Sequence, residues 1–250
     1  RAQDSLGSTE EKMNSLNWSF SESPDAEAQE LNRKMRFKYC LDRVMAWGLL
    51  LVLSPVFLLV AILIKWDGWL HPESRGPILY TEPRISEGRI FYIFKFRTVS
   101  EKTIQWIQEK PESRSITNFE LPRTVVGQFI LRHYFDELPQ LINIARGEMT
   151  FVGLRPHILA HTQEEVEQGF KYRLKIRAGL FGVPQACKRD RKFQAIIKRM
   201  ARHHRPDIHV LYTLDGLYVR KCKEFSPWRI FLFDLFLVGR CAMVILRGED

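Results

Sequence analysis

Two neighbouring carboxylates, Asp136 and Glu137, open the stretch DELPQLINIARGEM in the middle of a 250-residue chain. Adjacent acids suit metal-assisted chemistry on a negatively charged group. One carboxylate can attack phosphorus while its neighbour holds a divalent cation such as Mg2+. Phosphoryl transfer also needs cations that take up developing charge. Lys95, Arg97, Arg132 and Arg155 lie nearest to motif-like segments, and the planar fork of Arg suits a diphosphate. Taken singly, each residue has a plainer reading. An Asp ahead of a helix is a common cap, and a single Arg is commonly a solvated surface charge.

The elements that must position these groups follow from periodicity. Leu138, Leu141, Ile142 and Ala145 form one stripe, which predicts a helix over 137–146 with Pro139 in its first turn and Gly147 as its stop. Asp136 then falls at the N-cap, where a phosphate and its metal could assemble. Two strands, 78–82 and 89–98, flank the turn signal Ser86-Glu87-Gly88. Alternation puts Arg89, Phe91, Ile93, Lys95 and Arg97 on one face of the second strand. Residues 100–122 read as a loop or short helix, and 150–153 as a short extended piece. Further helices are expected at about 158–174, 188–204 and 228–246.

Upstream lies VMAWGLLLVLSPVFLLVAILI, 21 consecutive uncharged residues at 44–64, entered through the basic run Arg33, Lys34, Arg36, Lys38 and Arg43. A straight helix of that length covers ~30 Å, the thickness of a bilayer core. Ser54-Pro55 at its centre predicts a break, with the serine hydroxyl available to a freed carbonyl. A kinked span and a re-entrant hairpin both fit. Basic segments on either side lend the hairpin some support, because such segments prefer the cytoplasmic face, but the residues alone leave the two readings even.

Charge is unevenly spread. Residues 1–30 carry two cations against seven acids, so the remainder holds a positive excess larger than the chain's net +9. That balance implies an anionic partner: a membrane surface, nucleic acid or phosphorylated ligands. Cys40, Cys187, Cys222 and Cys241 show no metal-binding or disulfide framework, which fits free thiols in a reducing compartment. Residues 1–30 read as a disordered leader with at most a weak Trp18-Phe20 anchor and no signal peptide. In the basic stretch 188–206, Phe193, Ile196, Ile197 and Met200 form a stripe suited to anionic lipid. His203-His204, and His157 with His161, lack partners at ligand spacing. Arg229, Asp234 and Arg240 argue against a second span at the C-terminal end and for an interfacial helix.

Three segments together resemble a known family: KFRT at 95–98, DELPQLINIARGEMTFVGLRP at 136–156 and RAGLFG at 177–182. They are similar to the signatures of bacterial sugar transferases, the monotopic phosphoglycosyl transferases acting on polyprenyl phosphate, over roughly residues 34–247. The resemblance implies an α/β fold, mostly helical with a small β-hairpin, and a re-entrant membrane helix broken at Ser54 and Pro55. It implies transfer of a phosphosugar from a nucleoside diphosphate sugar, by expectation a UDP-sugar, to a membrane polyprenyl phosphate at the cytoplasmic face of a bacterial inner membrane. Asp136 would be the nucleophile of a covalent aspartyl intermediate and Glu137 the metal-associated acid, with Mg2+ as cofactor and UMP released. Of the candidate phosphate-binding cations Lys95, Arg97, Arg132 and Arg155, the family's motif arginines fall on Arg97 and Arg155, and Gly179, Gly182 and Gln185 would bind the nucleotide. Exopolysaccharide or glycoconjugate assembly would follow. Anionic lipid is an expected partner and nucleic acid is not; a homodimer stays open.

Several positions depart from the family's pattern. Leu154 stands where the first Pro of Pro-Arg-Pro is usual, Ala178 replaces a Pro, Val183-Pro184 replace Trp-Ala, and Phe135 precedes the Asp. These departures support an alternative, a catalytically silent membrane scaffold that keeps the fold. A membrane-tethered nucleic-acid binder rests on charge alone. The expected organisation is a leader (1–30), a juxtamembrane and re-entrant helix (31–69), a catalytic domain (70–227) and an interfacial C-terminal helix (228–250).

Overall fold

The computed structural model describes residues 26–109, 121–187, 195 and 206–246. Most of the leader, with Trp18 and Phe20, and the basic stretch with its apolar stripe and His203-His204 lie outside the described residues.

Helix α1 (Ala26–Val52) begins polar and ends apolar. Its inward stripe runs Ala28, Leu31, Met35, Lys38, Asp42 and Ala46, spaced by three or four residues as one helical face requires. The helix breaks at Leu53 and resumes as α2 (Ser54–Leu70) at 60° to α1. Pro55 sits in the first turn of α2, where its missing N–H costs nothing, and the Ser54 hydroxyl donates to Leu51 O at 2.7 Å. No single helix among the described residues is long and apolar enough to cross a membrane. The bent pair together meets that length and composition. Its outer face is apolar and bare, with Leu51 77%, Trp69 74% and Val52 72% exposed.

A hairpin follows, β1 (Leu79–Ser86) against β2 (Arg89–Phe96), in full register from Leu79↔Phe96 to Ser86↔Arg89. The first strand runs four residues past the expected end at 82. Glu87 and Gly88 alone make the turn, both in left-handed backbone (φ 51° and 71°), which matches the twist of a two-residue hairpin. Helix α3 (Glu101–Glu109) and α4 (Val125–Arg132) follow. A single 3-10 turn, Phe135–Glu137, then precedes α5 (Gln140–Arg146). Gly147 ends α5 in left-handed backbone (φ 82°), as its type predicts.

Strand β3 (Met149–Val152) pairs in parallel with β4 (Ala178–Phe181). The long helix expected at 158–174 is divided into α6 (Leu159–Glu167) and α7 (Tyr172–Lys175), with Gly169 at φ 88° between them. Helices α8 (Val183–Ala186), α9 (Pro206–Glu224) and α10 (Pro227–Leu246) complete the described fold.

Two apolar clusters carry the site. Ala46 from α1, Phe91 and Ile93 from β2, Leu141, Ile144 and Ala145 from α5, and Met149 and Ala178 form one. Val60 and Ile64 from α2, with Phe96 and Ile130, form the second, against which Phe135 and Leu138 pack. Two of the three charges in α10 face protein: Asp234 is buried, accepts from Tyr218 Oη at 2.9 Å and pairs with Lys38 Nζ at 3.2 Å, and Arg240 Nε donates to Ala186 O, whereas Arg229 is exposed.

Candidate active site

Asp136 does not cap a helix. The expected start at 137 gives way to the 3-10 turn: Tyr134 enters left-handed backbone (φ 58°), and the regular α-helix begins only at Gln140, after Leu138 and Pro139. The consequence for Asp136 is chemical. Its side chain is buried at 3% exposure, and Oδ1 has no hydrogen-bond partner among the described residues. A buried, unbonded carboxylate oxygen is costly and uncommon. Burial, helped by the adjacent Glu137, pushes the Asp136 carboxyl up to about 6, against the pull of Lys95 and Arg155.

Glu137 has the opposite fate. Burial would raise it, but the Arg155 guanidinium and Lys95 outweigh that and hold it below its ordinary value. Arg155 Nη2 donates to Glu137 Oε1 at 2.5 Å, and the Arg155 side chain stays 39% exposed. One acid is thereby kept charged and engaged while its neighbour offers a free oxygen.

Residues 95–98 act as a bracket around this pair. Lys95 is buried with its charge directed at Glu82, Glu137 and Asp136, and its ammonium group is depressed by burial. Its Nζ lies 3.8 Å from Glu82 Oε1, which also receives Arg84 Nη2. Arg97 donates from Nε to Pro77 O and from Nη1 to Val99 O, both at 2.7 Å, so two of its nitrogens fix backbone. Thr98 accepts from Arg123 Nη1 at 2.8 Å, and its carbonyl accepts from Thr124 N. A Cβ at Gly127 would stand 2.0 Å from that carbonyl, so only glycine allows α4 to approach this closely. Arg132 is exposed in the last turn of α4, and no hydrogen bond or ion pair joins it to the acid pair among the described residues.

The later motif is built for packing. A Cβ at Gly179 would stand 2.1 Å from Gly153 N, and one at Gly153 would stand 2.6 Å from Arg177 O. These two glycines let β4 cross the loop that carries Arg155. Gln185 Oε1 accepts from Gly182 N at 2.7 Å, closing the first turn of α8. The Arg155 carbonyl accepts from Arg173 Nε at 3.0 Å. Arg173 is itself buried and bonded to Glu165 Oε2 (2.6 Å), Asp215 Oδ2 (2.7 Å) and His157 Nε2 (3.1 Å). His157 belongs to this network and is pushed down to about 4, first by burial and then by Arg173.

With this geometry in place, the comparison with known proteins is decisive. The description "Bacterial sugar transferase" matches residues 33–239. The chain belongs to the bacterial sugar transferase family. It is similar to a UDP-glucose:undecaprenyl-phosphate glucose-1-phosphate transferase of Klebsiella pneumoniae, 31% identical over 60% of this chain and 31% of that protein. An undecaprenyl-phosphate galactose phosphotransferase of Salmonella typhimurium is 31% identical over 87% of this chain and 42% of its own length. The exopolysaccharide production protein ExoY of Sinorhizobium fredii is 37% identical over 61% and 70%. The chain thus spans about a third of the first of these relatives and under half of the second.

Within this sugar transferase chain, some functional neighbours escaped the sequence. Arg123 is half-buried, and its charge acts on Asp136. Glu82 and Arg84 sit behind Lys95, and Arg173, Glu165 and Asp215 sit behind Arg155. One signal was available for the first group: in β1, Tyr80, Glu82 and Arg84 alternate on the buried parity, where charge is uncommon. Nothing local in the sequence announces Arg123. Among the described residues no group of three or more His, Cys, Asp or Glu forms a metal cage. Asp136 and Glu137 nonetheless fit Mg2+. They are hard oxygen donors, one with a free oxygen, and Mg2+ commonly takes its other ligands from water and substrate phosphates.

Proposed function

We propose that this chain transfers a hexose-1-phosphate from a UDP-sugar to a membrane polyprenyl phosphate. The observation that carries the reading is Asp136, buried with Oδ1 unbonded beside an acid held charged by Arg155. A free carboxylate oxygen attacks the sugar-bearing phosphorus, the bond from that phosphorus to the bridging oxygen breaks, and UMP leaves with the electron pair. A phosphate oxygen of the polyprenyl acceptor then attacks the same phosphorus and Asp136 departs as carboxylate. Neither step needs a proton from the acceptor, which is already anionic. Asp136 and Glu137 would hold Mg2+, whose charge would offset that of the diphosphate. Arg155, half in solvent, is placed to swing from Glu137 onto substrate oxygens, and Lys95 and Arg123 hold the site cationic behind Asp136.

The proposed setting is the cytoplasmic face of a bacterial inner membrane, with α1 and α2 as a re-entrant pair. Their bare apolar face, the central Ser54-Pro55 break and the 60° bend support it. The relatives' names, which include glucose and galactose transfer and exopolysaccharide production, support a role in starting a surface glycan. The test is direct. Purified protein with Mg2+, polyprenyl phosphate and a panel of UDP-hexoses is expected to release UMP, and Asp136→Asn is expected to abolish that release. Release that persists in Asp136→Asn overturns the assignment of the nucleophile.

A further inference from the structure

A second basic feature lies at the far end of α5 from the acid pair. An open cleft of about 490 Å³ is lined by Arg33, Arg36, Arg89 and Arg177, with Tyr39 and Glu87. Glu87 is the sole acid among its lining residues, and it is spent on Arg177, whose Nε lies 3.2 Å from Glu87 Oε1. The Arg177 guanidinium rests on the Tyr39 ring, 4.2 Å from its centroid, which fixes it as one wall. Glu27, one turn before the cleft on α1, is taken by Lys175 and Lys223. Arg33, Arg36 and Arg89 are exposed, and no ion pair neutralises them among the described residues.

Three uncompensated guanidinium groups around one hollow repel each other, and an anion there removes that cost. Arg33 and Arg36 are three apart on α1 and share a face, while Arg89 enters from β2 and Arg177 from the start of β4. Donors converging from separate elements match a group with several oxygens, and arginine forks match phosphate in particular. Distance separates the cleft from the acid pair. Arg177 Nη1 lies near Gly147, where a Cβ would stand 3.4 Å away, and Gly147 is ten residues beyond Glu137. The seven residues of α5 between them alone span roughly 10 Å at 1.5 Å per helical residue.

We propose that this arginine cleft is a second anion site, recognising a phosphate-bearing ligand with at least two negative charges. It is independent of the transfer reaction and stands or falls without it. The phosphate can belong to a soluble molecule or to a lipid headgroup reaching the base of α1. A ligand there would bear on Arg177 and hence on β4, whose Gly179 N donates to Leu154 O beside Arg155.

The experiment uses the full chain in zwitterionic micelles with inorganic tripolyphosphate as probe, and separately phosphatidylcholine vesicles with and without phosphatidylglycerol. Arg155→Ala serves as background so that the substrate site does not contribute. Arg36→Gln with Arg89→Gln is compared with Arg220→Gln, an exposed arginine elsewhere. Loss of roughly tenfold or more in tripolyphosphate affinity for the double variant alone supports a soluble ligand. Loss confined to the phosphatidylglycerol-dependent vesicle binding supports a headgroup. Equal binding by the double variant and its parent to both probes, or no binding by the parent to either, overturns the proposal. Arg33→Gln is the second variant should the double one fail to fold.

Discussion

Leu154 and Ala178, the two residues at which this chain leaves its family's proline-bearing pattern, meet each other in the structure. They form an isolated parallel bridge, and both are buried, at 1% and 3% exposure. Leu154 packs with Val152, Ile176 and Val183, and its carbonyl accepts from Gly179 N at 2.8 Å. Rigidity that a proline ring would give is supplied here by burial and a backbone bond. The departures therefore give little support to a silent scaffold. Leu154→Ala is expected to cost about 2–5 kcal/mol of stability. It should also lower UMP release more than a distant core truncation of equal cost, such as Ile104→Ala, because Arg155 is the next residue. Restoring the family's proline as Ala178→Pro should destabilise by about 1–3 kcal/mol, because Ala178 N donates to the buried Ser86 hydroxyl at 3.0 Å. Thermal melts with matched transfer assays check both.

Asp136→Asn should stabilise the protein as it removes activity. The folded carboxyl is raised to about 6 from an ordinary 3.8, so ionising it in the fold is unfavourable. Its contribution is fully present below the unfolded value and is lost as pH rises through about 6. An amide escapes that loss. The gain should reach ~1–3 kcal/mol at pH 8 and vanish near pH 4. Equal melting temperatures at pH 8 would contradict the burial assigned to Asp136.

The same shift sets the acid limb of catalysis. If Asp136 is the attacking base form, transfer should fall as pH drops through about 6. Lys95→Met removes a cation that favours ionised Asp136, so the acid limb should move to higher pH. A pH–rate profile of the variant lying on that of the parent would exclude Lys95 from the electrostatics of the site.

A buried ionic knot should dominate stability away from the site. Lys38 Nζ bonds Asp42 Oδ2 at 2.8 Å and Asp234 Oδ2 at 3.2 Å, tying α1 to α10. Lys38→Met leaves two carboxylates unpaired and should cost about 3–5 kcal/mol. Chemical denaturation at neutral pH measures this.

Topology can be read from native thiols. Cys40, exposed, lies in α1 ahead of its apolar part, and Cys187, half-buried, follows the bent pair. In single-cysteine variants on sealed vesicles, both should react from the same side. Reaction from opposite sides would replace the re-entrant pair with a span.

The sequence showed what period and punctuation can encode. The hairpin, the break at Ser54-Pro55 and the stop at Gly147 follow from local residue types, and the long motif located Asp136 and Glu137. What stayed hidden depends on contacts between distant segments. Asp136 looked like a cap because Leu138, Leu141, Ile142 and Ala145 keep a helical period, while left-handed Tyr134 and the 3-10 turn shift its geometry. Arg123 comes to the site from a segment 25 residues beyond Thr98, to whose hydroxyl it donates. Gly153 read as the end of a short extended piece and Gly179 as a nucleotide-binding residue; their close approach shows only once β3 and β4 pair.

Phe135 and Leu138, on either side of the acid pair, pack into the cluster formed by Val60 and Ile64 of α2 with Phe96 and Ile130. On the proposed membrane placement this makes α2 a ruler. However deeply the bent pair settles into lipid, the carboxylate of Asp136 rides at a fixed height above it. A polyprenyl phosphate has its phosphate at the same interface, so the acceptor would be selected by altitude as well as by chemistry.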